Sequence, residues 1–248
     1  MKVVEYGKGN KDIIILLHGG GLSWWNYEEV AEKLADSFHI ILPILNGHFG
    51  SNTPFTSIED NAAELITYID ENFKGRVFLI GGLSLGGQVL IEMLSQRSDI
   101  CEYAIIESAL VIPMKYISAM IKPAYDICYP LVKKRWFSKI QFKALHIRKE
   151  LFDKYYIDTA NITKKDMISF LTANSKYRIR NTLAECQAKT LVVVGSKERK
   201  IMKKSAQQIA GFLPMSNLEI IKNYNHGELS INHSEEFVQK LHRLIKNK

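Results

Sequence analysis

Short runs of β-branched and aliphatic residues alternate along this chain with stretches whose apolar residues recur at helical spacing. That alternation is the signature of an α/β protein, a parallel sheet covered by helices on both faces. Strands are predicted at Val3 to Tyr6, Ile13 to Leu17, Ile40 to Leu42, Val77 to Ile80, Tyr103 to Ile106, Leu191 to Val194 and Leu218 to Ile221. Ile13 to Leu17 is unbroken and apolar, as a strand buried on both faces should be. Helices are predicted over Tyr27 to Ala35, Ile58 to Asn72, Gln88 to Gln96, Ala206 to Phe212 and Phe237 to Ile245. The last has Ser234 as its expected N-cap, with Glu235 and Glu236 suited to its positive end.

The alternation stops between about Pro113 and Cys186. Tyr116, Met120, Tyr125, Trp136, Phe137, Phe142, Phe152 and Phe170 are spaced there for several short helices and for no strand. Connections of such length rarely lack structure in a compact domain. The expectation is therefore a core of residues 1–112 and 187–248 carrying a helical insertion, 113–186, that serves as a lid. The 248 residues, 46% hydrophobic and 24% charged, are enough for such a domain and exclude disorder and fibrous repeats.

Cys101, Cys128 and Cys186 are odd in number and far apart, which predicts neither a disulfide framework nor a Cys-x-x-Cys metal site. The first residues lack an apolar leader, and no early apolar run approaches membrane-spanning length. A soluble, cytoplasmic protein is the expectation.

Two glycine-rich segments each follow a strong strand. Gly82-Leu83-Ser84-Leu85-Gly86-Gly87 comes directly after Val77 to Ile80 and opens a helix. A serine on a sharp strand-to-helix turn needs very small residues two positions before and after it, because the two backbones approach closely there. Gly82 and Gly86 meet that need, and the helix N-terminus adds a positive dipole end at the hydroxyl. The earlier segment, His18-Gly19-Gly20-Gly21, can turn a backbone N–H inward. The N–H groups of Gly20 and Leu85 are the expected pair of oxyanion donors. His18 is expected to be structural, since this loop uses its backbone.

A serine hydroxyl needs a histidine base, and the histidine needs a carboxylate that holds its tautomer. Among seven histidines, His226 stands out because Asn223-Tyr224-Asn225-His226-Gly227 follows the last predicted strand. For the acid, Glu198 follows Leu191 to Gly195 by one short loop, while Glu107 ends the Tyr103 to Ile106 strand; Glu198 is preferred. The chain order is then Ser84, Glu198, His226.

These segments together give the chain a clear likeness. It resembles, over nearly its whole length, an α/β-hydrolase of the lid-bearing esterase, lipase and carbon–carbon hydrolase type. The likeness rests on Leu16 to Gly21, Gly82 to Gly87, Val192 to Glu198, and His226-Gly227 followed by Ser234 to Phe237. It implies the α/β-hydrolase fold: a mostly parallel central sheet, here of about seven strands, and a helical cap inserted after the sixth-type strand. It also implies acyl-enzyme chemistry and an acid at position 198, where aspartate is usual. Three further departures are Ile44 in place of an aspartate, Asn46 in place of a proline, and Asn225 in place of a glycine.

The expected activity is that of a carboxylesterase or lipase-like enzyme acting on small to medium apolar acyl esters. Trp24 and Trp25, just after the oxyanion loop, are candidates to wall the acyl pocket. Carbon–carbon bond hydrolysis, transfer to an alcohol, and a catalytically silent binding protein on the same scaffold remain alternatives. No metal ligand set and no phosphate-binding loop is present in the sequence, so no cofactor or metal is expected.

The net charge of +7 is unevenly spread. Residues 113–186 carry 15 Lys and Arg against 6 Asp and Glu, a net of +9, and the remainder carries 18 against 20, a net of −2. Nucleic acid is not an expected partner, because no recognition motif accompanies the charge. A small acyl substrate is; for the basic lid a solvated outer surface is the first expectation, and a weak contact with an anionic surface or an acidic substrate is the alternative.

Overall fold

The computed structural model describes residues 1–246. All seven predicted strands form: β1 (Lys2–Tyr6), β2 (Ile13–Leu17), β3 (His39–Ile44), β4 (Val77–Leu83), β5 (Cys101–Glu107), β6 (Lys189–Gly195) and β7 (Ser216–Ile221). They make one sheet in the order β1-β3-β2-β4-β5-β6-β7. β1 pairs antiparallel with β3, and every other pairing is parallel.

Side-chain alternation along β2 divides the core. Ile14 and Leu16 point to one face, where they cluster with Val30 and Leu34 of α1 (Glu28–Leu34) and Phe237 and Leu241 of α10 (Ser234–Lys246). Ile15 and Leu17 point to the other, against Leu65 and Ile69 of α2 (Ile58–Phe73) and Val89, Leu90 and Met93 of α3 (Leu85–Gln96). Each such buried side chain contributes about 1.5–3 kcal/mol relative to exposure.

Between β5 and β6 the chain runs through α4 (Lys115–Val132), α5 (Arg135–Ala144), α6 (Phe152–Asn161) and α7 (Lys164–Lys176). The sequence suggested short helices, but α4 continues for 18 residues through Pro123 and Pro130. Its buried stripe of Ser118, Ile121 and Val132 holds it together despite the missing N–H groups. After β6 come α8 (Lys200–Phe212) and, beyond β7, the short α9 (Glu228–Asn232). α8 begins six residues before the predicted start. Ser234 departs from its expected capping role: it is the first residue of α10, and its hydroxyl donates to Glu29 Oε2 (3.1 Å).

Register sets where chemistry can gather. Leu17 is level with Gly82, Leu83 with Glu107, Glu107 with Val193, and Gly195 with Ile221. The C-terminal ends of five parallel strands therefore reach one rim, and the loops that leave them carry Gly20, Ser84, Glu198 and His226. Crevices at that rim are where open α/β sheets bind ligands.

Candidate active site

Ser84 stands between β4 and α3 with φ 53° and ψ −110°, a conformation strained for any residue with a side chain. The turn is tight enough that its glycines are obligatory. A Cβ at Gly82 would lie 2.4 Å from the Gly86 carbonyl oxygen, and one at Gly86 would lie 2.2 Å from that of Leu17. The Ser84 N–H donates to the Glu107 carbonyl (2.8 Å), which ties the turn to the neighbouring strand.

The glycine loop after β2 is held from outside. The N–H of Gly19 donates to Asn26 Oδ1 (3.2 Å) and that of Gly21 to His48 Nε2 (3.0 Å). The N–H of Gly20, between them, has no acceptor among the described residues. Gly20 lies against Leu85, since a Cβ built on it would be 3.5 Å from Leu85 Cβ. The Leu85 N–H is in the first turn of α3, where helical geometry supplies no acceptor.

His18 is structural, as the loop's chemistry suggested. Its Nε2 accepts from the Leu45 N–H (3.1 Å), so Nδ1 carries the proton and donates to the Gly19 carbonyl (2.9 Å). These bonds, with Asn46 N–H to Asn61 Oδ1 (3.0 Å) and Asn46 Nδ2 to Glu64 Oε2 (2.6 Å), brace the loop in which Ile44 and Asn46 replace more usual residues. His48, which nothing in the local sequence marks, is also buried. It stacks on Phe170 with ring centroids 4.7 Å apart.

Burial lowers the pKa of His18 to about 3, with the neighbouring His48 adding to it, and burial lowers that of His48 to about 4. As pH falls from about 6.5, unfolded chains take up protons that these folded imidazoles refuse, so the fold loses stability on the acid side. The melting temperature is expected to decline between about pH 6.5 and 4, and His48→Gln, which keeps an acceptor for Gly21, should decline less steeply. Equal slopes would contradict this account of His48.

Glu198 is buried and receives His226. Nδ1 of His226 lies 2.8 Å from Glu198 Oε2, while Oε1 accepts from the Gly195 N–H (2.8 Å) and the Ser108 hydroxyl (2.7 Å). Burial acts to raise the Glu198 carboxyl, but hydrogen bonding and charge from His226, with the Gly195 and Ser108 donors, hold it below the usual carboxylate range. Ser108, directly after β5, has φ 54° and was not foreseen. Its strained backbone turns the hydroxyl under Glu198.

Glu107, the rival acid, has different partners. It accepts from the N–H groups of Leu229 (3.1 Å) and Ser230 (3.3 Å to Oε2) and so holds α9, two residues beyond His226. Burial pushes its pKa up to about 7, opposed by the Ser230 hydrogen bonds. The histidine loop takes its left-handed residues at Asn223 and Gly227, not at Asn225. Asn225 instead donates through N–H and Nδ2 to Glu228 Oε2 (2.7 and 2.8 Å).

Ser84 and His226 share the wall of a cavity of about 100 Å³ with Gly19, Gly20, Leu22 and Leu83. With Nδ1 turned to Glu198, Nε2 is the ring nitrogen free for the serine. No hydrogen bond joins Ser84 to His226 among the described residues, and such contacts commonly tighten only when substrate binds. A second cavity, of about 130 Å³, shares Gly20 and Leu145 with the first and extends among Tyr125, Val132, Gln141, Tyr155, Met167 and Phe170. Neither cavity is lined by Trp24 or Trp25. Trp25 is buried and donates to Asp158 Oδ2 (2.5 Å), and Lys154 Nζ sits 5.4 Å from the centre of a Trp24 ring, so both fasten α6 to the helical turn Trp24–Tyr27 that follows the glycine loop. A larger cleft of about 380 Å³ lies at the opposite rim, where β6 and β7 begin.

Among the described residues, no group of three or more His, Cys, Asp or Glu is placed to hold a metal ion, and no helix is long and apolar enough to cross a membrane. Lipase 1 of Psychrobacter immobilis is 22% identical over 244 residues, covering 91% of this chain and 74% of that protein. An esterase of Exiguobacterium antarcticum superposes with a TM-score of 0.83 at 17% identity, over 99% of this chain and 95% of the other. An enol-lactonase of Burkholderia xenovorans does so with a TM-score of 0.83 at 14% identity, over 99% and 96%. At these identities the structural likeness speaks for the fold. A family model described as alpha/beta hydrolase family matches residues 14–240, and with it the fold that the resemblance implied; this chain belongs to the alpha/beta hydrolase family.

Proposed function

We propose that this chain is a serine carboxylesterase in which Ser84 is the nucleophile, His226 the base and Glu198 the acid. The observation that carries this reading is the Glu198–His226 hydrogen bond at a cavity whose wall also holds Ser84 and the Gly20 loop. In the first half-reaction His226 Nε2 takes the Ser84 proton as Oγ attacks the ester carbonyl, and the Gly20 and Leu85 N–H groups receive the oxyanion. Collapse breaks the bond to the alcohol, which leaves with the proton from His226. In the second half water attacks the acyl-enzyme, His226 takes its proton, and the acid departs as Ser84 regains its hydrogen.

Residues 113–186 act as the cap over this site, and the second cavity, between that cap and Gly20, holds the acyl group. The small-molecule acyl ester is the substrate, the basic cap meets anionic surfaces, and a cytoplasmic location suits the free Cys101, Cys128 and Cys186. Trp24 and Trp25 keep the cap in place and do not contact the acyl chain.

A panel of p-nitrophenyl esters from acetate to decanoate, run beside a diketone substrate of carbon–carbon hydrolases and with an added alcohol, tests the reading. Hydrolysis of the short and medium esters is expected. Cleavage of the diketone with no ester turnover would replace it with carbon–carbon hydrolysis, and predominant ester products would replace it with acyl transfer. Because Leu145 lines both cavities, Leu145→Trp is expected to raise KM for the octanoate ester about tenfold or more while leaving the acetate within about twofold.

A further inference from the structure

The helices of the cap carry most of the large apolar side chains that the described surface leaves in water. Tyr116 (91% exposed), Met120 and Ile127 (79%) lie along α4, and Trp136 (59%) and Ile140 (61%) along α5. At 3.6 residues per turn, Tyr116, Met120 and Ile127 fall on one stripe, opposite the buried Ser118, Ile121 and Val132. On α5, Trp136 and Ile140 share the outward face with Lys139 and Lys143, while Ser138 and Phe142 turn inward. Lys133 and Lys134 join the two helices.

Charge accompanies this apolar surface. Residues 115–144 hold seven cations, Lys115, Lys122, Lys133, Lys134, Arg135, Lys139 and Lys143, against one anion, Asp126, a net of +6. Asp126 is taken by Lys122 and Lys164 (2.6 and 2.7 Å), and Arg135 pairs with Asp153. Among the described residues, no carboxylate lies within 4.0 Å of Lys115, Lys134, Lys139 or Lys143.

We propose that the outer face of α4 and α5 is a docking surface for an anionic phospholipid bilayer. Exposed Trp, Tyr, Ile and Met beside lysines suit the boundary between headgroups and acyl chains, because the rings and aliphatic groups enter it and the lysines reach back to the lipid phosphates. A second copy of this chain does not suit the face, since two surfaces of +6 repel. Nucleic acid matches the charge but leaves the apolar stripe uncovered. Tyr125, Val132 and Gln141, on the inner sides of the same two helices, line the second cavity, so docking brings the cavity beside the lipid. The surface stands whether or not the chain hydrolyses esters.

The test is sedimentation of the whole protein with phosphatidylcholine vesicles, pure or containing one third phosphatidylglycerol. Binding to the anionic vesicles and not to the neutral ones is expected, weakening about fivefold or more when salt is raised from about 0.1 to 0.5 M. Trp136→Ser with Ile140→Ser, and separately Lys134→Glu with Lys139→Glu and Lys143→Glu, should each reduce binding about tenfold while hydrolysis of a water-soluble ester is unchanged. Absence of binding by the wild type, equal binding to both vesicles, or unaltered binding by both variants would overturn the proposal. So would a concentration-dependent dimer that these substitutions dissolve, which would make the face a contact between copies. Vesicle binding without ester turnover would leave the docking surface standing and reject the esterase reading alone.

Discussion

Replacing Ser84 by alanine is expected to lower ester turnover by about 10⁴-fold or more while the protein remains folded. Only the hydroxyl group is removed, and in the proposed mechanism His226 is then left with no nucleophile to activate. Stability supplies a second readout at the same position. Ser84 is held at φ 53° and ψ −110° by its N–H bond to Glu107 and by the close approach of Gly82 to Gly86. Alanine inherits that strain, whereas glycine relieves about 1–3 kcal/mol of it. Ser84→Gly should therefore be inactive and melt a few degrees higher, at about 2–4 °C for each kcal/mol gained. An inactive Ser84→Gly with unchanged melting would mean the turn is not strained; an active Ser84→Ala would remove the serine from the mechanism.

The second large effect separates two carboxylates that approach the same histidine loop. Glu198→Gln should reduce turnover on the order of 10⁴-fold, because the amide cannot stabilise the imidazolium or hold its tautomer. Glu107→Gln should cost about tenfold or less, the scale of a perturbed hydrogen bond, since an oxygen at the Oε1 position still accepts from both Leu229 and Ser230. Burial raises Glu107 to about 7, so the neutral amide resembles the protonated form. The sign of its linkage is opposite to that of His18 and His48. Between about pH 4.5 and 7 the folded protein holds a proton at Glu107 that the unfolded chain has released, so stability falls as pH rises through that window, and Glu107→Gln should flatten this component. The reverse ranking in turnover would move the acid to Glu107.

How much of this was legible in the sequence follows from the range of each interaction. The strands and the Ser84 turn are written in contiguous residues: an apolar run, then glycines at fixed offsets. That Glu198 and His226 would meet was legible because each sits in the loop that leaves a strand, and parallel register carries such loops to one rim, where the two are hydrogen-bonded. Ser108 and His48 act on residues 90 and 27 positions away, through Glu198 and Gly21, so no local pattern marks them. Ser108 does follow Glu107 at a strand end, the one signal that could have drawn attention to it. The contacts of Trp24 and Trp25 were not legible, because their proximity in sequence to the glycine loop gives no sign of Asp158 and Lys154 of α6, more than 125 positions away, which engage them. Ser234 had the residue type of a cap, but Glu29 of a distant helix offers its hydroxyl a charged acceptor.

The central claim is that Ser84 is an activated nucleophile, and a serine-reactive fluorophosphonate probe tests it most directly. Mass spectrometry of the treated wild-type protein should find one adduct, on the peptide containing Ser84, with labelling abolished in Ser84→Ala and strongly slowed in His226→Ala. An adduct on another residue, or wild-type labelling no greater than that of Ser84→Ala, would contradict the account.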